Sequence, residues 1–216
     1  MDLSAPKKTI VLCIEGCHGT GKTSICDWFT KFGVEKLDEG FMKDYPLNIH
    51  PQSFVMEHQW ISNWFSRIMS KVSYEKKNFY VIDRSPYTSV FYTKKGDGQI
   101  FKPLIDKLIE DVKERANIHI YTLCLIVEKD ILWERITERL KIEPSRKKYG
   151  EDSKEWMEKI WEKYQDFEWD LTFSNSKSKS KFDNSLALML DMLKDEKNVE
   201  VPTLKLRKND LEVKVV

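Results

Sequence analysis

Ile10-Val11-Leu12-Cys13-Ile14-Glu15-Gly16-Cys17-His18-Gly19-Thr20-Gly21-Lys22-Thr23-Ser24 is the stretch on which the reading of the fold turns. It opens with an apolar, partly β-branched run, the pattern of a strand buried on both faces. Gly16-x-x-x-x-Gly21-Lys22-Thr23 follows directly, the full P-loop pattern, and a helical pattern comes next. Glycines let the backbone turn tightly and aim successive N–H groups inward, which makes a nest for phosphate oxygens. The helix adds unpaired N–H groups and the positive end of its dipole. Lys22 has the reach for β- and γ-phosphates, and the Thr23 hydroxyl suits a phosphate-bound Mg²⁺. Strand, loop and helix stand in the order that argues against a chance glycine-rich turn. The chain is expected to bind a nucleoside triphosphate.

Composition bounds the rest. The chain has 216 residues, with Lys+Arg 36 against Asp+Glu 35 and a net charge of +1. That length buries a substantial core, and the charge balance offers no electrostatic case for nucleic acid as a partner. Cys13, Cys17, Cys26 and Cys124 show no CxxC spacing and read as reduced thiols. Met1 to Lys8 lacks an apolar signal region and no run reaches transmembrane length, so no membrane association is expected. The expected location is the cytoplasm or nucleus. Nothing in the sequence sets the oligomeric state, for which a homodimer is carried as the expectation.

Further along, Ile25, Trp28, Phe29 and Phe32 share one face of the first helix, with Gly33 as its C-cap. Val34 to Leu37 reads as a short strand that delivers Asp38-Glu39-Gly40 at its carboxyl end, where open parallel sheets bind ligands. Phe41 to Pro51 reads as a loop, and Phe54 to Val72 as a long amphipathic helix. Asn78-Phe79-Tyr80-Val81-Ile82-Asp83-Arg84-Ser85-Pro86 reads as a core strand that presents Asp83 to Mg²⁺ and Arg84 to a phosphate. A turn built from Asp-Arg-Ser-Pro is the plainer reading of its end, and the P-loop tips the balance to the first. A helix through Phe101 and Val112, a strand over Ile118 to Val127 and a helix over Leu132 to Lys141 follow.

Arg135 and Arg139 lie one turn apart on that last helix. Pro144 breaks the pattern, and Ser145-Arg146-Lys147-Lys148 adds a basic cluster. These charges are either a solvated face or a cationic lid over a transferring phosphoryl group, and the lid is the expectation. Lys154 to Trp169 reads as a helix, 174–181 as a polar loop, Asp183 to Leu193 as a helix, Val199 to Val201 as a strand and Thr203 to Val216 as a hairpin. The alternation of strand and helix predicts an α/β three-layer α/β/α sandwich around a mainly parallel sheet of about five strands. Residues 1–216 are expected to form one P-loop domain, with a lid at about 139–153 and a C-terminal extension at about 199–216.

Glu15-Gly-Cys-His-Gly-Thr-Gly-Lys-Thr23, Asp38-Glu39-Gly40, Asp83-Arg84-Ser85 and Glu134-Arg135-Ile136-x-x-Arg139 fall in the order of the deoxynucleoside kinase and thymidylate kinase superfamily. The loop and Asp-Arg-Ser-Pro resemble the viral thymidine kinases, and the Glu-Arg-Ile-x-x-Arg helix is similar to that of cellular deoxynucleoside kinases. Thr88-Ser89, Tyr92 and Tyr149-Gly150-Glu151-Asp152 lean towards thymidylate kinase. The family's Glu-Pro pair after the second strand is Glu39-Gly40 here, and its second lid arginine is Lys141.

The resemblance implies phosphoryl transfer from ATP–Mg²⁺ to a deoxynucleoside 5′-hydroxyl. Gly16, Cys17, His18, Gly19, Thr20, Gly21, Lys22, Thr23 and Ser24 would contact ATP, with Thr23 and Asp83 supporting Mg²⁺. Glu39 would be the general base, with Asp38 its rival. Arg84, Arg135 and Arg139 would stabilise the transferring group. The glutamine that reads the base in the family falls near Glu57, with Gln59 as the alternative. A monophosphate kinase acting on dTMP is the second reading, with Arg84 on the acceptor phosphate. A non-catalytic or regulatory nucleotide-binding protein is the third. A GTPase would carry Asn-Lys-x-Asp after a late strand, and Glu128-Lys129-Asp130 does not fit that pattern.

Overall fold

A computed structural model describes residues 8–39, 48–74 and 77–176. At its centre lies β1 (Thr9–Glu15), with every residue buried. Both neighbours run parallel to it: β3 (Phe79–Asp83) pairs Ile14 with Asp83, and β4 (Ile118–Ile126) pairs Glu15 with Cys124. β2 (Glu35–Leu37) and β5 (Leu171–Ser174) are the edges of a five-stranded parallel sheet in the order β2-β3-β1-β4-β5. The chain moves from β1 to one side and then returns to the other. A crevice therefore opens beyond the carboxyl end of β1, where the strand order switches.

Alternation along β1 serves two cores, because successive side chains of a strand point to opposite faces. Ile10, Leu12 and Ile14 pack with Ile25, Trp28 and Phe29 of α1 (Lys22–Thr30). Val11 and Cys13 face the other layer. That layer comprises α2 (Phe54–Tyr74), α3 (Thr88–Tyr92), α4 (Phe101–Ala116), α5 (Lys129–Ile142) and α6 (Lys154–Gln165). α2 buries Trp60, Ile61, Trp64, Phe65 and Ile68, the spacing of a helical stripe. The four cysteines are buried and unpaired. Among the described residues no helix is long and apolar enough to cross a membrane.

The expected α/β/α sandwich is the observed one. Val199 to Val201, expected as a strand, lies outside the described residues, as do 183–193, 203–216 and the part of the polar loop after Ser176. Among the described residues Leu171–Ser174 is the edge beyond β4, and the helix expected to run to Trp169 stops at Gln165. Asp170 anchors that turn: its Oδ2 accepts from the Thr122 N–H and hydroxyl, each at 2.8 Å. Within the segment expected as a lid, about 139–153, α5 runs to Ile142 and Pro144–Tyr149 form a 3₁₀ helix that starts at the helix-breaking proline.

Candidate active site

The glycine-rich loop is the turn from β1 into α1. Gly19 and Gly21 have φ of 84° and 91°, which other residues reach only with strain. A Cβ on Gly19 would lie 2.8 Å from Ile136 Cγ1, so α5 backs the loop closely. Lys22 folds across it and donates to the Gly16 and Cys17 carbonyls at 2.9 and 3.0 Å. Its burial lowers its pKa from the usual lysine range. The Cys17 and His18 side chains turn inward, whereas Thr23 and Ser24 are exposed on the first turn of α1. Burial pushes the Cys17 thiol up to about 12, and burial with nearby cations pushes His18 down to about 3. The first is an inert thiol and the second a neutral ring, tied by its backbone N–H to the Tyr92 hydroxyl at 3.1 Å.

Thr23 Oγ1 donates to Asp83 Oδ2 at 2.6 Å, across the β1–β3 step. The other oxygen, Asp83 Oδ1, is buried with no hydrogen-bond partner among the described residues. The described residues hold no group of three or more His, Cys, Asp and Glu side chains that suits a metal. A hydroxyl and one carboxylate fit Mg²⁺, which keeps most of its shell as water and substrate phosphate.

Beside this loop lies a cleft of about 290 Å³. Its floor carries Glu39, Glu57, Arg84, Thr88 and Tyr92, with Gln52 and Trp60 on the wall. Arg84 Nε lies 2.6 Å from Glu39 Oε1, a close ion pair rather than an aligned hydrogen bond. The guanidinium sits 5.1 Å from the centre of the Tyr92 ring. Arg84 is held in a left-handed backbone conformation, φ 73°. Glu15 explains why that strained residue persists. Its Oε1 accepts from the Ser85 N–H and hydroxyl at 2.7 and 2.6 Å and from Thr88 at 2.9 Å, while Tyr164 binds Oε2 at 2.9 Å. The carboxylate is fully buried and locks the backbone on both sides of the step.

The structure separates the sequence candidates. Glu39 enters the cleft, whereas Asp38 pairs outward with Lys36 at 3.0 Å. Glu57 also enters, with Oε2 accepting from Ser89 at 2.7 Å, and burial pushes its carboxyl up to about 7 against the pull of Ser89 and Arg84. Gln59 does not. Two positions further on, a helix has turned about 200°, and Gln59 is exposed on the outer face of α2. Neither Arg135 nor Arg139 lines the cleft. Arg135 donates to the Asn175 carbonyl at 2.9 Å, and Arg139 pairs with Glu143 at 3.3 Å on the surface.

The segment after Pro144 brings Arg146 and Lys148 to the cleft, with Arg146 Nη1 2.8 Å from Glu151 Oε1 and its Nε beside Glu143. Tyr149 and Trp156 close the same side. Arg146 stands in the basic cluster but not at a helical spacing that would single it out. Gln52, two residues before α2, and Trp60, within it, carry no sequence signal that marks them for the cleft. Altogether the lining holds the acidic side chains Glu39, Glu57, Glu143 and Glu151 and the cations Arg84, Arg146 and Lys148.

No family model and no curated protein matches this sequence. Among solved structures the chain is similar to a gluconokinase from Sinorhizobium meliloti 1021, with TM-score 0.55, 15% identity and coverage of 88% of this chain and 95% of that one. At that identity the likeness concerns the fold alone. The shared architecture is a parallel sheet with flanking helices and a glycine-rich loop after its central strand.

Proposed function

We propose that the chain is an ATP-dependent kinase whose acceptor is the 5′-hydroxyl of a deoxynucleoside. One observation supports it above the others: Glu39 stands 2.6 Å from Arg84 inside the cleft, so a carboxylate and a cation share the site. Both cleft arginines already face carboxylates, Arg84 with Glu39 and Arg146 with Glu143 and Glu151. Such a site suits a neutral acceptor better than one that arrives with its own phosphate. Trp60, Tyr92, Tyr149 and Trp156 are the aromatic side chains of the lining, the residue type against which a base packs. The choice of a deoxynucleoside rests on the resemblance of the motifs.

In this reading Lys22 and the loop N–H groups hold the donor phosphates. Thr23 and Asp83 would hold Mg²⁺, which when bound offsets charge on the phosphate oxygens. Glu39 accepts the proton of the attacking hydroxyl, since a neutral alcohol is a weak nucleophile. Arg84 is placed for the transferring group, where a fixed cation counts most. Arg146 brings a second cation from the lid.

ATP consumption with a panel of nucleosides, nucleoside monophosphates and gluconate tests the proposal. A deoxynucleoside should be the best acceptor. Preference for a monophosphate or for gluconate would overturn it.

A further inference from the structure

Arg135 has no part in the mechanism above, yet it is half-buried on α5 and hydrogen-bonded. Its Nη2 donates to the Asn175 carbonyl at 2.9 Å. Asn175 follows β5, and its own N–H donates to the Ile126 carbonyl at 2.8 Å, which ties it to the end of β4. The Asn175 side-chain amide then donates to the Thr20 carbonyl at 2.7 Å. Thr20 lies inside the phosphate loop, between two left-handed glycines. The contacts form one line from α5, through the exit of β5, to the loop.

The peptide geometry gives that line a consequence. In a trans peptide the C=O and the next N–H point in opposite directions. Holding Thr20 O towards Asn175 therefore aims the Gly21 N–H to the other side of the loop. Gly21 is the N-cap of α1, so this N–H stands at the helix end that receives anions. The fit is close: a Cβ on Gly21 would lie 2.9 Å from Asn175 Nδ2. A Cβ on Gly19 would meet Ile136 and Leu132, from the helix that carries Arg135, at 2.8 and 3.2 Å.

We infer that Arg135 is a positioning residue for the donor nest: it holds Asn175, and Asn175 holds the Thr20–Gly21 peptide in the orientation that receives a phosphate. It acts on nucleotide binding without touching the transferring group. The inference rests on the ATP-binding half of the proposed function and is independent of the acceptor.

Calorimetric titration of ATP–Mg²⁺ without acceptor tests it, in the wild type, Arg135→Gln, Arg135→Lys, Asn175→Ala and the Arg135→Gln/Asn175→Ala double variant. One hydrogen-bonded link is worth up to about tenfold in affinity, so Arg135→Gln and Asn175→Ala should each bind about that much more weakly. The double variant should be no worse than the weaker single one, because both break the same line. Arg135→Lys, which can still donate to Asn175 O, should recover most of the affinity. At saturating ATP, kcat should stay near the wild-type value. Unchanged ATP affinity, additive losses, or a fall in kcat at unchanged affinity would overturn the inference. Should Arg135→Gln not fold, Asn175→Ala alone decides it in the same way. A wild type that binds no ATP removes both this inference and the proposed function. A wild type that binds ATP but phosphorylates no nucleoside removes the acceptor assignment alone.

Discussion

Arg84 Nε and Glu39 Oε1 stand 2.6 Å apart, each just past the carboxyl end of one of two paired strands. β2 pairs with β3 in a register that sets Leu37 against Ile82, so the residues that follow both strands emerge over the same crevice. The pair is thus a product of sheet topology. Because a guanidinium presents a planar fork and a lysine a single point charge, Arg84→Lys is not a conservative change here. Its kcat is expected to fall by about 10²-fold with the fold retained. Wild-type kcat in Arg84→Lys would show that the guanidinium has no place in the reaction.

Asp83 offers a cleaner separation of metal chemistry from folding. In Asp83→Asn the Thr23 hydroxyl, now 2.6 Å from a carboxylate oxygen, can still donate to the amide oxygen. The negative charge is lost. The Mg²⁺ concentration for half-maximal activity should rise about tenfold or more, while the melting temperature changes little. An unaltered Mg²⁺ dependence would remove Asp83 from the metal site.

Glu57 links the cleft to a pH signature. Burial raises its carboxyl from the ordinary 4.5 to about 7, so the folded chain keeps a proton there that the unfolded chain has lost. Stability carried by that proton is full below the unfolded value and is lost as pH rises through the folded one. The loss is of order 3 kcal/mol, about 1.4 per pH unit over the window. Glu57→Gln cannot titrate and retains an acceptor for Ser89. Its melting temperature relative to the wild type should therefore climb between pH 4.5 and 8. A difference that stays flat across that range would contradict the assignment.

The lid arginines should differ in kind. Arg146 lines the cleft between Glu143 and Glu151, whereas Arg139 is a surface partner of Glu143. Exposed ion pairs contribute little. Arg139→Ala is expected to leave kcat/KM for the acceptor within about threefold, and Arg146→Ala to lower it by about tenfold or more. Steady-state kinetics with the acceptor varied distinguish the two, and the reverse order would restore Arg139 to the site.

The parts of this architecture that could be read from the sequence are those whose signal is local. The phosphate loop is a continuous stretch between a buried strand and a helix, so residues and geometry coincide. Glu39 and Asp38 are neighbours at the end of β2, and the two point apart, as strand parity demands. The lid was harder because its cations are sorted by tertiary packing. Arg135 and Arg139 share a helix face, yet one is drawn to Asn175, 40 residues on, and the other to Glu143. β5 escaped for a related reason. Phe167 continues the helical spacing of α6, but its ring and that of Trp169 pack on Phe91 at 5.2 and 5.6 Å after the helix has ended. A four-residue edge strand directly behind them leaves almost no periodicity of its own.

The central claim is that Glu39 takes a proton from a hydroxyl acceptor, and Glu39→Gln tests it most directly. The amide keeps the shape and a hydrogen-bonding oxygen but loses basicity. Turnover of the variant should be measured with a deoxynucleoside and with dTMP, beside the wild type. A general base is worth about 10²–10⁴ in rate for a neutral alcohol, and a phosphate oxygen that is already ionised gains little from one. The account predicts that deoxynucleoside turnover falls by that factor while its KM moves only a few-fold. If dTMP is the better acceptor and Glu39→Gln leaves its turnover almost intact, the account is contradicted.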